Sequence, residues 1–197
     1  MKGGDRLNNQ ITFYAEWLPL EKRDFRILAM LADIGEFKGN LSSICRYLNI
    51  TPQTKSITKL RNSICFLTEN NYITSILSGR TYTLTLLPKE EPITIKRNYY
   101  AEIKNHNYSY ASVSWEVLLK VYLWLYIHNS EDVFTNEEIA HDLGVGESTI
   151  TNATKVLSKD FQAIVKEIVA EKIRENCFRR RGQIVEVCAW WNLENNK

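Results

Sequence analysis

Lys55, Thr58, Lys59 and Asn62 fall on one side of a helix wound at ~100° per residue. Ile57, Leu60, Ile64 and Leu67 recur on the other side at spacings of 3, 4 and 3. Cationic and hydrogen-bonding side chains of this length can meet phosphates and base edges in the major groove of a duplex. A second set, Ser148, Thr151, Asn152 and Lys155, repeats the arrangement opposite Ile150, Ala153 and Leu157. Two glycine-marked turns add arginine: Arg80 follows Ser78-Gly79, and Arg179, Arg180 and Arg181 precede Gly182. Arginine at a hairpin tip suits contact with a phosphate or with a narrow minor groove. Thr51, ahead of Pro52, joins the first set as a capping hydroxyl beside the same surface. A solvated face that carries two lysines is the plainer account of Lys55 and Lys59, and the ordered elements around them outweigh it.

Each set needs a helix held in place by its neighbours. In the first half, Phe25, Leu28, Ala29, Leu31 and Ala32 predict a helix that starts at Pro19. Phe37 marks a short strand, and Asn40 caps a helix bearing Leu41, Ile44, Cys45 and Leu48. Asn49 and Ile50 make the turn, Thr51-Pro52 opens the third helix, and Asn70-Asn71 closes it. Residues 72–77 and 81–86 follow as two strands, the second alternating cleanly between Thr and apolar residues.

In the second half, Ser114 caps a helix that runs to His128 and is apolar on several faces. Such a helix should be buried on several sides, against the other domain or a second subunit. Val133-Phe134 is a short strand, and Thr135-Asn136-Glu137-Glu138 is a capping box. Gly144 supplies backbone freedom for a turn into the second polar helix, 147–157. Residues 159–174 read as an additional helix carrying Phe161, Ile164, Val165, Ile168 and Val169. A last hairpin, 176–178 with 183–189, follows around the three arginines, and Trp190-Trp191 is expected to close a core or an interface.

The stretch Phe134-Thr135-Asn136-Glu137-Glu138-Ile139-Ala140, with Leu143-Gly144-Val145 and Ser148-Thr149-Ile150, resembles the helix-turn-helix of bacterial winged-helix regulators. The tandem order and length also resemble plasmid-type replication initiators, which carry two winged-helix domains in one chain and bind repeated origin sites. The resemblance implies an α+β, mainly helical fold of two winged helix-turn-helix domains in tandem, each a three-helix core with a small β-hairpin wing. The expected domains are 1–88 and 113–197, the second with an extra helix before its wing, joined by a tyrosine-rich connection over 89–112. Double-stranded DNA is the partner this implies, with the residues named in the two sets and two turns as contacts. Three readings follow. The first is a sequence-specific transcriptional regulator, and the second a replication initiator of a plasmid or mobile element. In the third, one winged helix binds DNA while the other mediates dimerisation or protein interaction.

Composition bounds these readings. The chain has 197 residues, of which 44% are hydrophobic and 11% aromatic, ample for folded cores. Net charge is +2, unevenly spread: 1–88 holds eleven Lys/Arg against seven Asp/Glu, whereas 113–197 holds ten against thirteen. The first half therefore has the better electrostatics for a polyanion, and a homodimer is expected to use the second. In the connection, Lys96, Arg97, Tyr99, Tyr100, Lys104, His106, Tyr108 and Tyr110 interleave cations with rings. Packing of the tyrosines against the domains is expected there, ahead of stacking on single-stranded nucleic acid.

Residues 1–10 carry no apolar signal segment, and the apolar run 117–127 is interrupted by Lys120 and too short to span a bilayer. A cytoplasmic protein with reduced cysteines is expected. Four cysteines and three histidines at unrelated spacings predict no metal site. With no phosphate-binding glycine loop, zincin motif or nucleophile elbow, no catalytic residue and no cofactor are expected.

Overall fold

Apolar side chains at helical spacing alternate along this chain with runs of β-branched residues. The computed structural model, which describes residues 9–105, 113–128, 133–174 and 177–187, is accordingly α+β. Seven α-helices and small antiparallel sheets make up the described residues. The chain divides into two compact units, Ile11–Thr94 and Ile95–Lys197, the latter together with Met1–Gln10. No helix among the described residues is long and apolar enough to cross a membrane.

In the Ile11–Thr94 unit, β1 (Gln10–Tyr14) leads to α1 (Lys22–Ile34), β2 (Glu36–Gly39), α2 (Leu41–Tyr47) and α3 (Thr54–Glu69). β3 (Ile73–Ser78), β4 (Thr81–Leu86) and β5 (Pro92–Lys96) follow. β5 pairs with β1, where the Thr12 and Thr94 hydroxyls lie 3.3 Å apart. The second sheet has the order β2-β4-β3, antiparallel throughout, with Phe37 opposite Leu84 and Ile73 opposite Leu86. The core combines Phe25, Leu28 and Leu31 of α1, Ile44 and Cys45 of α2, and Leu60, Ile64 and Leu67 of α3. Burying each such Leu, Ile or Phe is worth roughly 1.5–3 kcal/mol. The apolar stripe, more than helix propensity, therefore orients α3.

Helix boundaries depart from the expected ones near both prolines. Pro19 sits in a turn closed by the Leu20 N–H on the Trp17 carbonyl at 3.2 Å, and α1 begins only at Lys22. α3 begins at Thr54, not at Thr51-Pro52. The Gln53 N–H bonds back to the Thr51 carbonyl at 2.8 Å, which folds the chain tightly around Pro52 and delays the helix. Thr51 is therefore not a cap. Asn40 caps α2 as expected, its Oδ1 accepting the Ser43 N–H at 2.8 Å.

α2 and α3 end alike. Asn49 and Asn71 take left-handed φ values of 53° and 58°. Beyond them, the Ile50 N–H reaches the Cys45 carbonyl and the Tyr72 N–H the Leu67 carbonyl, each at 2.8 Å. This six-to-one closure satisfies carbonyls that a helix end otherwise leaves bare.

The C-terminal unit contains α4 (Arg97–Asn105), α5 (Trp115–Ile127), α6 (Asn136–Leu143) and α7 (Glu147–Lys159), then β6 (Ile164–Arg174) and β7 (Cys177–Val187). Nine of the 13 residues of α5 are buried, and it packs against α4, α6, α7 and β7. Much of its apolar surface is thus covered within its own unit. The Thr135–Glu138 capping box is present. Gly144, at φ 63°, ends α6 with the closure the two asparagines make, the Val145 N–H reaching the Ala140 carbonyl at 3.0 Å. Phe134 forms a β-bridge with Gln183. The order Phe134–β7–β6 therefore parallels β2-β4-β3. At the bridge only glycine fits next to Gln183, because a Cβ on Gly182 would lie 2.8 Å from the Phe134 carbonyl oxygen.

Three expectations for the second half are corrected. No additional helix occupies 159–174: α7 ends at Lys159, Gln162 takes φ 52°, and β6 begins at Ile164. Ile164, Val165, Ile168 and Val169 satisfy helical spacing, yet β-branched side chains favour a strand where a partner is present. β7 supplies that partner along the length of β6. Arg179, Arg180 and Arg181 consequently lie within β7, with Arg179 opposite Glu171 and Arg180 opposite Ala170, and not at the hairpin tip. Where a connection was expected over 89–112, the chain forms β5 and α4, with Tyr99 and Tyr100 buried. His106, Tyr108, Tyr110, Trp190 and Trp191 lie outside the described residues.

A chain of side-chain hydrogen bonds joins three elements of the C-terminal unit. Gln183, 2% exposed, donates from Nε2 to Asn136 Oδ1 at 2.8 Å. Asn136 Nδ2 donates to Thr151 Oγ1 at 2.9 Å, and the Thr151 hydroxyl donates to the Glu147 carbonyl at 3.2 Å. Asn136→Ala removes the middle of this chain and takes an acceptor from a buried amide. It is expected to lower unfolding free energy by about 1–3 kcal/mol, measured by urea denaturation. A change within about 0.5 kcal/mol, typical of ordinary surface substitutions, would show that the chain does not hold α7.

Candidate nucleic-acid interface

α3 is aimed by its neighbours. Arg26 on α1 donates from Nη1 to the Leu48 carbonyl at 3.0 Å, fastening α1 to the turn that precedes α3. Burial, and then the nearby Arg23 charge, lower the Arg26 pKa. Lys22 is lowered likewise, by burial first and then by Arg26. Three cations thus gather in the first turns of α1, where the helix dipole favours acids.

The outer face of α3 is as the periodicity predicts: Lys55, Thr58, Lys59 and Asn62 are all exposed. Thr58 Oγ1 donates to the Thr54 carbonyl at 3.0 Å. Arg61 is exposed as well, and so is Arg80, in the two-residue turn between β3 and β4. Gly79 takes φ +59° there, as such a turn requires at its first position. Lys55, Lys59, Arg61 and Arg80 make no ion pair or side-chain hydrogen bond among the described residues. Lys89 of the same unit, by contrast, pairs with Glu16 at 3.0 Å. The acid of α3 is Glu69, in its last turn, and it accepts a hydrogen bond from Cys65 Sγ at 3.1 Å. Thr51 is exposed ahead of the helix.

Two clefts flank α3. One, of about 550 Å³, lies against the start of α1 and is lined by Arg23, Lys59, Asn62 and Phe66, with Glu21 and Asp24 also on its walls. The other, of about 410 Å³, lies between α3, the start of α2 and the β3–β4 turn, and Arg61 and Arg80 line it. α3 is therefore a ridge with cations on both flanks. Sequence reasoning missed Arg23 and Arg61. Helical periodicity sets Arg61 near Thr58, but only the return of the hairpin makes a cleft beside it.

The C-terminal counterpart differs. Ser148 and Lys155 are exposed on α7, whereas Thr151 and Asn152 are half-buried. The Thr151 hydroxyl is engaged by Asn136 and by the Glu147 carbonyl. Beside α7, the outer face of α6 exposes Glu137, Glu138, His141 and Asp142. These line a pocket of about 560 Å³ floored by Trp124 and Phe134. Trp124 Nε1 donates to Asp142 Oδ2 at 3.0 Å, and the His128 ring stacks on Trp124 at 3.9 Å between centroids. The surface beside α7 thus carries Glu137, Glu138 and Asp142, whereas the exposed face of α3 carries Lys55 and Lys59. Among the described residues, no group of three or more His, Cys, Asp or Glu side chains is arranged to hold a metal ion.

No protein-family model matches this chain, and no curated protein sequence matches it either.

Cys65 reports on the charge at the end of α3. Its hydrogen bond to Glu69, the Glu69 charge and slight burial all push the thiol pKa up. Less of it is thiolate, the reactive form, at mildly alkaline pH. Glu69→Gln should bring the pKa down and speed alkylation of Cys65 by iodoacetamide at mildly alkaline pH, followed by peptide mass spectrometry. An equal or slower rate would show that Glu69 does not govern the thiol.

Proposed function

We propose that this is a DNA-binding protein built of two unequal winged helix-turn-helix units, in which the Ile11–Thr94 unit makes the principal duplex contact. One observation carries the reading: among the described residues Lys55, Lys59, Arg61 and Arg80 stand unpaired on α3 and the β3–β4 turn, and the acid of α3 lies in its last turn. Unpaired cations on a protruding helix neutralise phosphates and release counterions, the main source of affinity for a duplex. The element order α1-β2-α2-α3-β3-β4 supports a winged helix, with α3 as reading helix and the turn at Arg80 as wing tip. Thr58 and Asn62 are the side chains on that face suited to base edges.

A sequence-specific transcriptional regulator is the reading we adopt, with a plasmid or mobile-element replication initiator as the alternative. Selection of bound sites from a random duplex pool separates them. A regulator selects one operator-like site, and an initiator selects sites found as direct repeats beside AT-rich DNA.

The C-terminal unit favours a second role. Its acidic α6 face and its engaged Thr151 suit dimerisation or protein interaction better than phosphate contact.

Lys55→Ala combined with Lys59→Ala should weaken duplex binding and flatten the dependence of log K on log salt by about two units, one for each phosphate no longer neutralised. An unchanged affinity and slope in gel-shift titrations would sink the reading. Ser148→Ala with Lys155→Ala should leave affinity within about twofold, since few phosphate contacts are expected there. A loss as large as that of the lysine pair would put α7 on DNA as well.

A further inference from the structure

Arg61 and Arg80 come from different elements and line one cleft, and among the described residues no carboxylate lines it. Neither makes an ion pair or side-chain hydrogen bond among the described residues. Two arginines on the walls of one cleft give it a positive lining that favours an anion. Folding does not account for Arg80 either, because the left-handed residue of its turn is Gly79. Ser42 and Tyr82 bring hydroxyl groups to the same cleft, and Ile57 and Leu77 give it apolar wall. Guanidinium forks with hydroxyl donors are the chemistry that grips a phosphate group. The apolar wall strengthens that grip by lowering the local dielectric.

We propose that this cleft is a phosphate subsite in which Arg61 and Arg80 hold a single phosphate group between α3 and the β3–β4 turn. For its occupant, a phosphodiester of the duplex backbone, the assignment rests on the reading of α3 as the DNA-facing helix. It goes beyond that reading in giving one phosphate to two elements, so that helix and turn are locked onto the same strand. Free phosphate groups share the chemistry, and the test distinguishes the two sources.

The Nε–H signals of Arg61 and Arg80 are followed by nuclear magnetic resonance in the full chain, titrated with a short random-sequence duplex and separately with inorganic phosphate. Duplex affinity is then measured for Arg61→Gln, Arg80→Gln and the double variant. The expected result is joint movement of both signals with the duplex. Each single variant should lose about fivefold in affinity and the double no more than about tenfold, the non-additivity of groups that share one partner. Fully multiplicative losses, or movement of one signal without the other, overturn the shared subsite. Joint saturable movement with inorganic phosphate extends the subsite to free phosphate, and movement with neither probe overturns it. The titration of the unaltered protein stands even where a variant fails to fold. If the Lys55/Lys59 variant binds duplex normally while both arginine signals still answer to phosphate, the DNA reading fails and the subsite survives.

Discussion

The hydrogen bond from Arg26 to the Leu48 carbonyl ties α1 to the turn that leads from α2 into α3. A helix end leaves its last carbonyls without intrahelical partners, and a short turn into the next helix cannot hide them from one another. At the end of α2, the Asn49 closure answers part of that demand and Arg26 answers the Leu48 carbonyl. A cation is also the favoured charge at the negative end of a helix dipole. Because the donor belongs to α1, the contact joins α1 to the end of α2, just ahead of α3. The C-terminal unit ties its helices with neutral groups, in the chain from Gln183 through Asn136 to Thr151. That solution draws on α7 itself and costs it an outward hydroxyl. α3, fastened from behind, keeps its whole outer face.

The parts legible in the sequence were those written in local pattern. The stripe Ile57, Leu60, Ile64 and Leu67 turned the cationic face of α3 outward, and Asn40, Thr135 and Gly144 marked helix ends because their chemistry suits few other places. Thr51-Pro52 misled because that pair opens helices often, and only the backbone bond from Gln53 to Thr51 shows the start deferred to Thr54. Ile164, Val165, Ile168 and Val169 were ambiguous, since a buried strand and one helical face share such a run. Placing β6 as a strand moved Arg179, Arg180 and Arg181 out of the turn and into β7. Pairing of β1 with β5 could not be read locally, because it joins residues 82 positions apart. Arg61 escaped for the same reason: its neighbour across the cleft, Arg80, is brought there by the hairpin.

The two units show how one element order tolerates opposite electrostatics. The apolar positions are alike, with Ile44, Leu60 and Leu84 in one unit and Ile139, Ile150 and Val185 in the other, all buried. The exposed positions diverge. α2 presents Arg46 and Tyr47 to solvent where α6 presents Glu137, Glu138 and Asp142. A core constrains volume and pattern, and a solvated face constrains almost nothing. Charge is free to follow the partner of each face.

Because β5 pairs with β1, the polypeptide enters and leaves the Ile11–Thr94 unit at adjoining points of a single ribbon. Such a segment is topologically a cassette. Its ends are already joined, so cutting it out and bridging the gap incurs little loop entropy, and compact segments with neighbouring termini tolerate transplantation. Residues 11–94 can in this sense be exchanged for another cassette without rerouting the chain that flanks them. A change in what that unit recognises would then be acquired by substitution of a part, and not by redesign of the whole.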